Sequence, residues 1–331
     1  MTALYDIAAI GNAIVDVIGP ADDAFLAAEG MAKGSMALID EARATQLYGR
    51  MNRELEASGG SAANTVAGVA SLGGSAVFIG KVADDTLGDL YRQDMAAIGA
   101  TFSGTPLVGG AATARSMINV TPDGERTMST FLGAATELTA DDVDAALVER
   151  SKTLYLEGYL FDPLEARRAF AKAAGLAHGS GRKIALTLSD AFVVDRHRAA
   201  LLGFIETQVD VLFANEGELM ALFETQDFEA AVAALRGKCD IAAVTRGEKG
   251  SVVLSASDDY VVAVDPVAKV VDTTGAGDQY AAGFLFGLAR DWSLAQCGAL
   301  GAMAAAEVIS HYGPRPAISL KALLASRGLN A

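Results

Sequence analysis

Short apolar runs alternate with helix-length segments along most of this 331-residue chain. The runs are rich in Ile, Val and Leu, and turn residues or helical patterns separate them. Such alternation predicts a mainly parallel β-sheet that helices cover on both faces. The predicted strands are Tyr5–Gly11, Ala76–Gly80, Thr153–Glu157, Lys183–Leu188, Val209–Ala214 and Ile241–Thr245, and the clearest predicted helices are Ala62–Leu72, Pro163–His178 and Glu216–Phe223. The length suits one large α/β domain over residues 1–331 with a small appendage.

Four segments interrupt this alternation. Ala112–Val120 and Glu125–Phe131 flank Thr121-Pro122-Asp123-Gly124, and Pro followed by Asp-Gly is typical of a hairpin turn. Val15–Gly19 and Lys33–Ile39 also have strand-like composition, with no helix of normal length between them. We predict that the four segments form a small antiparallel sheet; the alternative is that they are edge strands of the main sheet.

The charge balance excludes some partners. Lys and Arg number 26 and Asp and Glu number 41, which gives a net charge of −15. Nucleic acids and anionic membranes bind basic surfaces, so we expect neither as a partner. A few local cations and backbone amides can still hold a phosphorylated ligand. The start of the chain has no cationic leader pattern, and no apolar run approaches the ~20 residues of a membrane helix, so we expect a cytoplasmic protein.

The strongest chemical motif runs from Asp272 to Leu285, where Gly275-Ala276-Gly277-Asp278 precedes an apolar helix. Backbone N–H groups at a helix start have no intrahelical partner, so they form a site for an anion. A carboxylate at the mouth of that site is placed to take a proton from a hydroxyl while the amides stabilise a transferring phosphoryl group. The alternative is that Asp278 only stabilises the first helical turn.

A second glycine cluster, Gly59-Gly60, precedes Asn64 at the start of a helix. Paired glycines let backbone approach a ligand, and an amide side chain offers a donor and an acceptor to a polyol. A loop beside a tightly packed helix explains the cluster about as well.

Asn12 and Asp16 follow the first strand. Ligands of open α/β sheets bind at the carboxyl ends of the strands. A carboxylate in an apolar run needs a partner, and two sugar hydroxyls would serve, although a buried Asp16 bonded to backbone is the alternative.

Asn215 and Glu218 follow another strand. Their spacing is that of a capping box, with Asn215 as the N-cap and Glu218 at the third helical position. The functional alternative is a hydrated Mg²⁺ that one carboxylate and one amide oxygen hold near phosphates.

Other nucleotide and hydrolase motifs are missing from the sequence. There is no G-x-x-x-x-G-K-[ST] and no G-x-S-x-G, and the late position of the glycine motif argues against a dinucleotide-dependent oxidoreductase.

Together the motifs resemble the ribokinase, or PfkB, carbohydrate kinase family nearly end to end. Asp272–Leu285 fits that family's C-terminal signature at every specified position. Gly59-Gly60-Ser61 with Asn64 is similar to the N-terminal signature, although Val66 stands where a smaller residue is usual. Gly80-Lys81-Val82, followed by Asp85 and Gly88, resembles a further family segment. The implied fold is ribokinase-like: a central, mainly parallel sheet flanked by helices, with a small β-sheet lid formed by about 15–39 and 112–131.

Within the family the chain most resembles the adenosine kinase group. The resemblance lies in Gly11-Asn12 with Asp16, in 185–189, in 213–216 and in 309–313. Thr187 departs from an Asn common in that group, and 121–126 is more similar to bacterial sugar kinases. These departures leave the choice between a nucleoside and a sugar open.

The resemblance implies ATP-dependent phosphoryl transfer to a primary hydroxyl, with Asp278 as base. It implies that Gly275, Ala276 and Gly277 form the anion hole. Other implied ligands fall into three groups: Asn12, Asp16, Gly59, Gly60 and Asn64 for the sugar; Asn215, Thr245, Gly247 and Gly250 for the nucleotide; and Glu218 for Mg²⁺, through water. Asp272 and Thr274 match positions that help to hold K⁺ in some members.

We therefore expect a kinase that uses ATP and Mg²⁺, acts on adenosine and is a monomer or a homodimer. Apolar residues of the predicted lid, Ile14, Met36, Leu38, Met117 and Phe131, would supply a slot for the base. The alternatives are a kinase of ribose, fructose or a related sugar, and a non-catalytic sugar or nucleoside binder.

Overall fold

The computed structural model describes residues 4–328. Its strands are β1 (Tyr5–Ile10), β2 (Ile14–Pro20), β3 (Met36–Leu38), β4 (Leu55–Gly59), β5 (Ala76–Ile79), β6 (Thr101–Ser103), β7 (Ala114–Val120), β8 (Arg126–Phe131), β9 (Ser151–Glu157), β10 (Lys183–Thr187), β11 (Val211–Asn215), β12 (Ile241–Thr245), β13 (Ser251–Ser255) and β14 (Asp259–Val262). Its α-helices are α1 (Asp23–Ala28), α2 (Glu41–Arg50), α3 (Ser61–Ser71), α4 (Thr86–Ala97), α5 (Ala145–Glu149), α6 (Leu164–Gly179), α7 (Ala191–Gln208), α8 (Glu216–Leu222), α9 (Phe228–Leu235), α10 (Ala276–Leu288), α11 (Leu294–Val308) and α12 (Leu320–Ser326).

Nine strands form the main sheet, in the order β14-β13-β12-β11-β10-β9-β1-β5-β6. The strands from β12 to β6 are parallel, and β13 and β14 extend one edge in the antiparallel sense. Successive residues of each strand face opposite helix layers. Ile7 and Ala9 pack in the core that includes α3, α10 and α11, whereas Ala8 and Ile10 pack in the core that includes α6 and α7. The predicted fold class is confirmed.

Five strands form a separate small sheet, in the order β3-β8-β7-β2-β4. The separate sheet and the β7–β8 hairpin are confirmed, but the prediction that the sheet is antiparallel is wrong. β2 pairs with β7 and β3 pairs with β8 in parallel, because long connections return the chain in the same direction. The sheet also contains β4, whose sequence Leu-Glu-Ala-Ser-Gly has no clear strand pattern.

The fold brings the motifs to one edge of the main sheet. The carboxyl ends of β1, β11 and β12 lie there, together with the first turns of α3, α8 and α10. The small sheet faces this edge across a cavity. None of the described helices combines the length and the hydropathy needed to cross a lipid bilayer.

Candidate active site

A cavity of about 510 Å³ lies between the carboxyl edge of the main sheet and the small sheet. Its volume is within the range of small-molecule sites. The predicted site residues that line it are Asp16, Gly60, Asn64, Asn215, Glu218, Thr245, Thr274, Gly275, Ala276, Gly277 and Asp278. A second cavity, near His178 and Lys238, opens at the amino ends of β11 and β12 and contains none of these residues.

Asp278 lies in the first turn of α10 and receives two hydrogen bonds from α3. Ser61 Oγ donates to Oδ1 at 2.6 Å, and Asn64 Nδ2 donates to Oδ2 at 3.1 Å. Burial raises the pKa of Asp278 to about 6, and the hydrogen bonds from Ser61 and Asn64 partly oppose that shift. The carboxylate is therefore oriented and has a pKa near that of a general base that works at neutral pH.

The amides before α10 face the cavity beside Asp278. Gly275 adopts a left-handed conformation, φ +78°, and a Cβ there would lie 2.6 Å from Pro314 Cα, so the position requires glycine. The N–H of Ala276 donates to Thr273 O at 3.2 Å, whereas those of Gly275, Gly277 and Asp278 donate to no acceptor within residues 4–328. These unpaired donors suit an anion such as a phosphoryl group.

Asp16 projects from β2 into the cavity. Its carboxylate makes no hydrogen bond with any residue that the structure describes, so it is not tied to backbone. Burial raises its pKa to about 6, while Arg315 and Arg126 act in the opposite direction. A Cβ at Gly59 would lie 2.4 Å from Asp16 Oδ2, so this glycine makes room for the carboxylate and does not itself line the cavity. Asp16 is free to accept hydrogen bonds from a ligand.

Asn12 lies behind the cavity wall, bonded to a buried carboxylate. Glu157 Oε1 accepts hydrogen bonds from the backbone N–H and Nδ2 of Asn12, at 3.3 and 2.8 Å, and Oε2 accepts from the N–H of Ala62 at 2.9 Å. Burial raises the pKa of Glu157 to about 7. Glu157 thus joins the end of β1 to the start of α3, where the partners of Asp278 lie.

Asn215 and Glu218 form the predicted capping box, which is confirmed. Asn215 Oδ1 accepts from the Glu218 N–H at 2.8 Å, and the two Glu218 oxygens accept from Asn215 N–H and Nδ2 at 2.9 and 2.7 Å. Both residues also line the cavity, so the capping interaction does not remove them from the site. Burial raises the pKa of Glu218 to about 7.

Thr245, the last residue of β12, lines the cavity, whereas no residue of the described turn that follows, 246–250, does so. Gly247 and Gly250 lie outside the cavity lining and have left-handed φ values of +57° and +84°. A Cβ at Gly250 would lie 2.1 Å from Val262 O, so this glycine permits close contact with β14.

Asp272 and Thr274 contact a cation that the chain itself supplies. Asp272 Oδ2 accepts from Arg126 Nη1 at 2.7 Å, and its Oδ1 accepts from Thr274 Oγ1 at 2.6 Å. Arg126 begins β8, and both members of the pair are nearly buried, with 10% and 7% of their side chains exposed. The ion pair therefore joins the small sheet to the segment before α10.

The face that the small sheet turns to the cavity differs from the predicted one. Ile14, Ser116, Ile118, Met128 and Thr130 line it. Met117 is fully buried away from the cavity, because alternate residues of a strand point to opposite faces. Met36 and Leu38 are in register with Met128 and Thr130, but they lie on the edge strand β3, where they are exposed and outside the cavity lining. Of the five apolar residues predicted for a slot, only Ile14 lines it.

The cavity lining is acidic. It contains three carboxylates, of Asp16, Glu218 and Asp278, and no Lys or Arg among the residues that the structure describes. The neighbouring guanidiniums already have acidic partners: Arg126 pairs with Asp272, and Arg315 pairs with Asp94.

Sequence reasoning missed several residues of this site. Ser61, Glu157, Arg126 and Arg315 each contact a predicted site residue, and Tyr159, Ser189 and Phe213 line the cavity. Glu157 carried a signal, a charged residue at the end of an apolar strand. Arg315 follows the tail segment that the resemblance already includes.

Comparisons with known proteins find a matching family and several similar proteins. The model of the pfkB family of carbohydrate kinases matches residues 6–321. An adenosine kinase structure from Sinorhizobium meliloti is 51% identical, with a TM-score of 0.91, over 98% of this chain and 100% of that one. A Rhizobium etli protein described as a probable sugar kinase is 47% identical, with a TM-score of 0.91, over 99% of each chain. An ATP-dependent ribose-1-phosphate kinase of Halopiger xanaduensis is 32% identical over 232 residues, which are 70% of this chain and 73% of that protein.

Proposed function

This chain belongs to the pfkB family of carbohydrate kinases and is a phosphotransferase that acts on a hydroxyl group, and we propose that its acceptor is adenosine. The observation that carries the proposed phosphoryl transfer is the pairing of an oriented carboxylate with unpaired amides. Asp278, held by Ser61 and Asn64, lies beside the free N–H groups of Gly275 and Gly277.

In the proposed reaction, Asp278 takes the proton of the primary hydroxyl as that oxygen bonds to the γ-phosphorus of ATP. The bond between the γ-phosphorus and the bridging oxygen breaks, and ADP leaves with the bridging oxygen and the electron pair of that bond. The amides of Gly275 and Gly277 stabilise the negative charge of the phosphoryl group in transit. Asp16 accepts hydrogen bonds from the ribose hydroxyls, with Gly60 and Asn64 beside it.

We assign the nucleotide side to Asn215 and Thr245, which line the cavity at the ends of β11 and β12. Gly247 and Gly250 would shape the turn that follows. The described residues contain no group of three or more metal-ligating side chains, which fits a Mg²⁺ that arrives with ATP. Glu218 would hold that ion through water, because both of its oxygens already accept hydrogen bonds from Asn215.

Potassium does not fit between Asp272 and Thr274 in this arrangement. The Arg126 guanidinium contacts both side chains, at 2.7 and 3.1 Å, and supplies the positive charge there. We therefore propose no K⁺ at this pair.

We propose that the small sheet acts as the lid of the site and that the Arg126–Asp272 pair holds it against the main sheet. A lid that excludes water matters here because water competes with the hydroxyl for the phosphoryl group.

Two features favour adenosine over a sugar. The small sheet offers the apolar side chains of Ile14, Ile118 and Met128, which suit a flat base. The hydroxyls of Ser116 and Thr130 bond to each other at 2.8 Å, which leaves fewer partners for a hexose.

The acidic lining also disfavours an acceptor that carries its own phosphate. The phosphate of such an acceptor lies away from the hydroxyl that reacts, and it needs cations or unpaired donors at that second place in the cavity. No Lys or Arg lies among the described lining residues, and Asp16 would repel the phosphate. The chain is therefore proposed to differ in its acceptor from the related ribose-1-phosphate kinase.

A coupled ADP-release assay with ATP and Mg²⁺ tests the proposal. The acceptors are adenosine, inosine, guanosine, ribose, fructose and ribose 1-phosphate. We expect kcat/KM for adenosine at least about 100-fold above that for ribose or fructose, a difference of about 2.8 kcal/mol. Comparable turnover of a free sugar would assign the chain to the sugar kinases, and no turnover of any acceptor would favour a non-catalytic binder.

A further inference from the structure

Arg315 connects the catalytic carboxylate to α4 through a chain of side-chain contacts. Its Nε–H donates to Asn64 Oδ1 at 3.3 Å, and its Nη1 lies 3.3 Å from Asp94 Oδ2. Asn64 in turn donates from Nδ2 to Asp278. The same Asp94 oxygen accepts from the N–H and Oγ of Ser58, so the far end of the chain is fixed.

These contacts determine which way the Asn64 amide points. A primary amide can be rotated by half a turn with little change in shape, and only its hydrogen bonds decide the orientation. The guanidinium is an obligate donor, so it requires Asn64 Oδ1 on its own side. Nδ2, the donor, is then left facing Asp278 Oδ2.

The loop that carries Arg315 is held in place independently of the arginine. Gln279 Nε2 donates to Pro314 O at 3.0 Å and to Asn64 O at 2.9 Å. The Gly313 N–H donates to Asp272 Oδ2 at 3.0 Å. A substitution of Arg315 therefore leaves the loop with its other contacts.

Arg315 is also a cation that acts on two of the three carboxylates that line the cavity, those of Asp16 and Asp278. Its charge lowers the pKa of Asp16 and of Asp278 against the effect of burial. The ionisable groups that act on or respond to Asp278 are Arg315, Asp16, Glu157, Glu218, Tyr155 and Tyr159. Among these, Arg315 is the only one that carries a positive charge.

We infer that Arg315 is a positioning residue for the phosphoryl-transfer reaction: it fixes the Asn64 amide so that its NH₂ group faces Asp278, and it favours the ionised form of that base. The inference rests on the proposed role of Asp278. Arg315 does not line the cavity, so it acts through Asn64 and through its charge rather than by contact with the acceptor.

Two substitutions separate the charge from the geometry. Arg315→Met removes the positive charge and the hydrogen-bond donors together. Arg315→Lys keeps the positive charge but loses the planar guanidinium that donates to Asn64 and contacts Asp94. We expect Arg315→Met to lower kcat about tenfold and to move the acidic limb of the kcat/KM profile up by about 1 pH unit. Arg315→Lys should lower kcat similarly while its acidic limb stays at the wild-type pH. Arg327→Met, which removes a half-exposed arginine paired with Asp265, is the matched control and should change neither quantity.

A double substitution tests whether Arg315 acts through Asn64. If it does, Asn64→Ala with Arg315→Met should have a kcat within about twofold of Asn64→Ala alone, since coupled residues are not additive. Fully multiplicative losses would overturn that step. An Arg315→Met variant with wild-type kcat and a wild-type acidic limb would overturn the inference as a whole.

A ¹³C NMR titration of the aspartate carboxyls measures the charge effect without any acceptor. The Asp278→Asn variant assigns the Asp278 signal. We expect its pKa to rise in Arg315→Met and not in Arg315→Lys, and an unchanged pKa in both would contradict the electrostatic role.

An inactive wild-type protein would contradict the proposed function alone, because this titration still reports on Arg315. Thermal melting verifies that each variant is folded, and Arg315→Lys carries the test if Arg315→Met is not.

Discussion

Ser61 Oγ donates a 2.6 Å hydrogen bond to Oδ1 of Asp278, across 217 positions of sequence. The contact joins the first turn of α3 to the first turn of α10. The two glycine motifs of the chain, Gly59-Gly60 and Gly275-Ala276-Gly277, thus meet at a single carboxylate. The pairing gives the base a fixed orientation and favours its ionised form.

The pH dependence of kcat/KM follows from this contact. Burial raises the pKa of Asp278 to about 6, and a base must be ionised to act, so activity should fall as the pH drops below about 6. Ser61→Ala removes a hydrogen bond that lowers this pKa, and we expect the acidic limb to move up by about 1 pH unit. Ser326→Ala, at an exposed position, is the control. An unshifted limb in Ser61→Ala would argue against Asp278 as the titrating base.

Asp16→Ala should weaken binding of the acceptor alone. Hydrogen bonds to a charged group contribute about 1.5–3 kcal/mol each, so we expect KM for the acceptor to rise at least about tenfold. KM for ATP should change little. Steady-state kinetics with each substrate varied in turn measure both values. Equal increases would indicate a structural role, and a melting curve of the variant would then reveal the fold defect.

Arg126→Met should destabilise the protein more than loss of a surface pair does. Arg126 and Asp272 are nearly buried, and removal of one partner leaves the other charge without compensation. We expect a loss of about 3 kcal/mol in the free energy of unfolding. Lys33→Met removes more exposed ion pairs, with Asp23 and Asp123, and should destabilise the protein much less because solvent screens these charges. Urea denaturation compares the two, and equal losses would contradict the special role of the Arg126 pair.

Glu157 should make the protein less stable as the pH rises. Burial raises its folded-state pKa from 4.5 to about 7, so the folded protein holds a proton that the unfolded chain has lost. The stability from this group is full below about pH 4.5 and is lost as the pH rises through 7. The glutamine of Glu157→Gln does not titrate. The free energy of unfolding should therefore fall less between about pH 5 and 8 in this variant than in the wild type, by up to about 3 kcal/mol. Urea denaturation at both pH values measures this difference, and an equally large loss in the variant would contradict the assignment.

The alternating pattern of the sequence predicts most of the main sheet because a buried parallel strand needs a continuous apolar run. α3, α6 and α8 begin and end within one residue of their predicted bounds. β4 escapes prediction because Leu55–Gly59 is short and half polar, and its strand geometry comes from pairing with β2. The direction of β2 relative to β7 depends on the path of the connection between them, and local composition does not encode that path.

The residues of the candidate site likewise fall into those that the sequence predicts and those that only the fold reveals. The glycines and carboxylates of motifs are recognisable one segment at a time, so Asp278 and Asp16 are predictable. The partners that orient them come from other segments, and only the fold brings them together. Ser61, Glu157 and Arg315 have no motif of their own and contact the site through long-range packing. Asn12 shows the opposite case, since its hydrogen bonds are to Glu157 and not to the cavity.

The kcat of Asp278→Asn tests the central claim most directly. The substitution keeps the size of the side chain and a hydrogen-bonding head but removes the base. With adenosine and ATP at saturation, we predict a kcat about 10²–10⁴-fold below that of the wild type, with little change in acceptor binding. Asp89→Asn, at an exposed aspartate of α4, is the matched control and should retain full activity. An Asp278→Asn variant that keeps more than about a third of the wild-type kcat would contradict the assignment of Asp278 as the catalytic base.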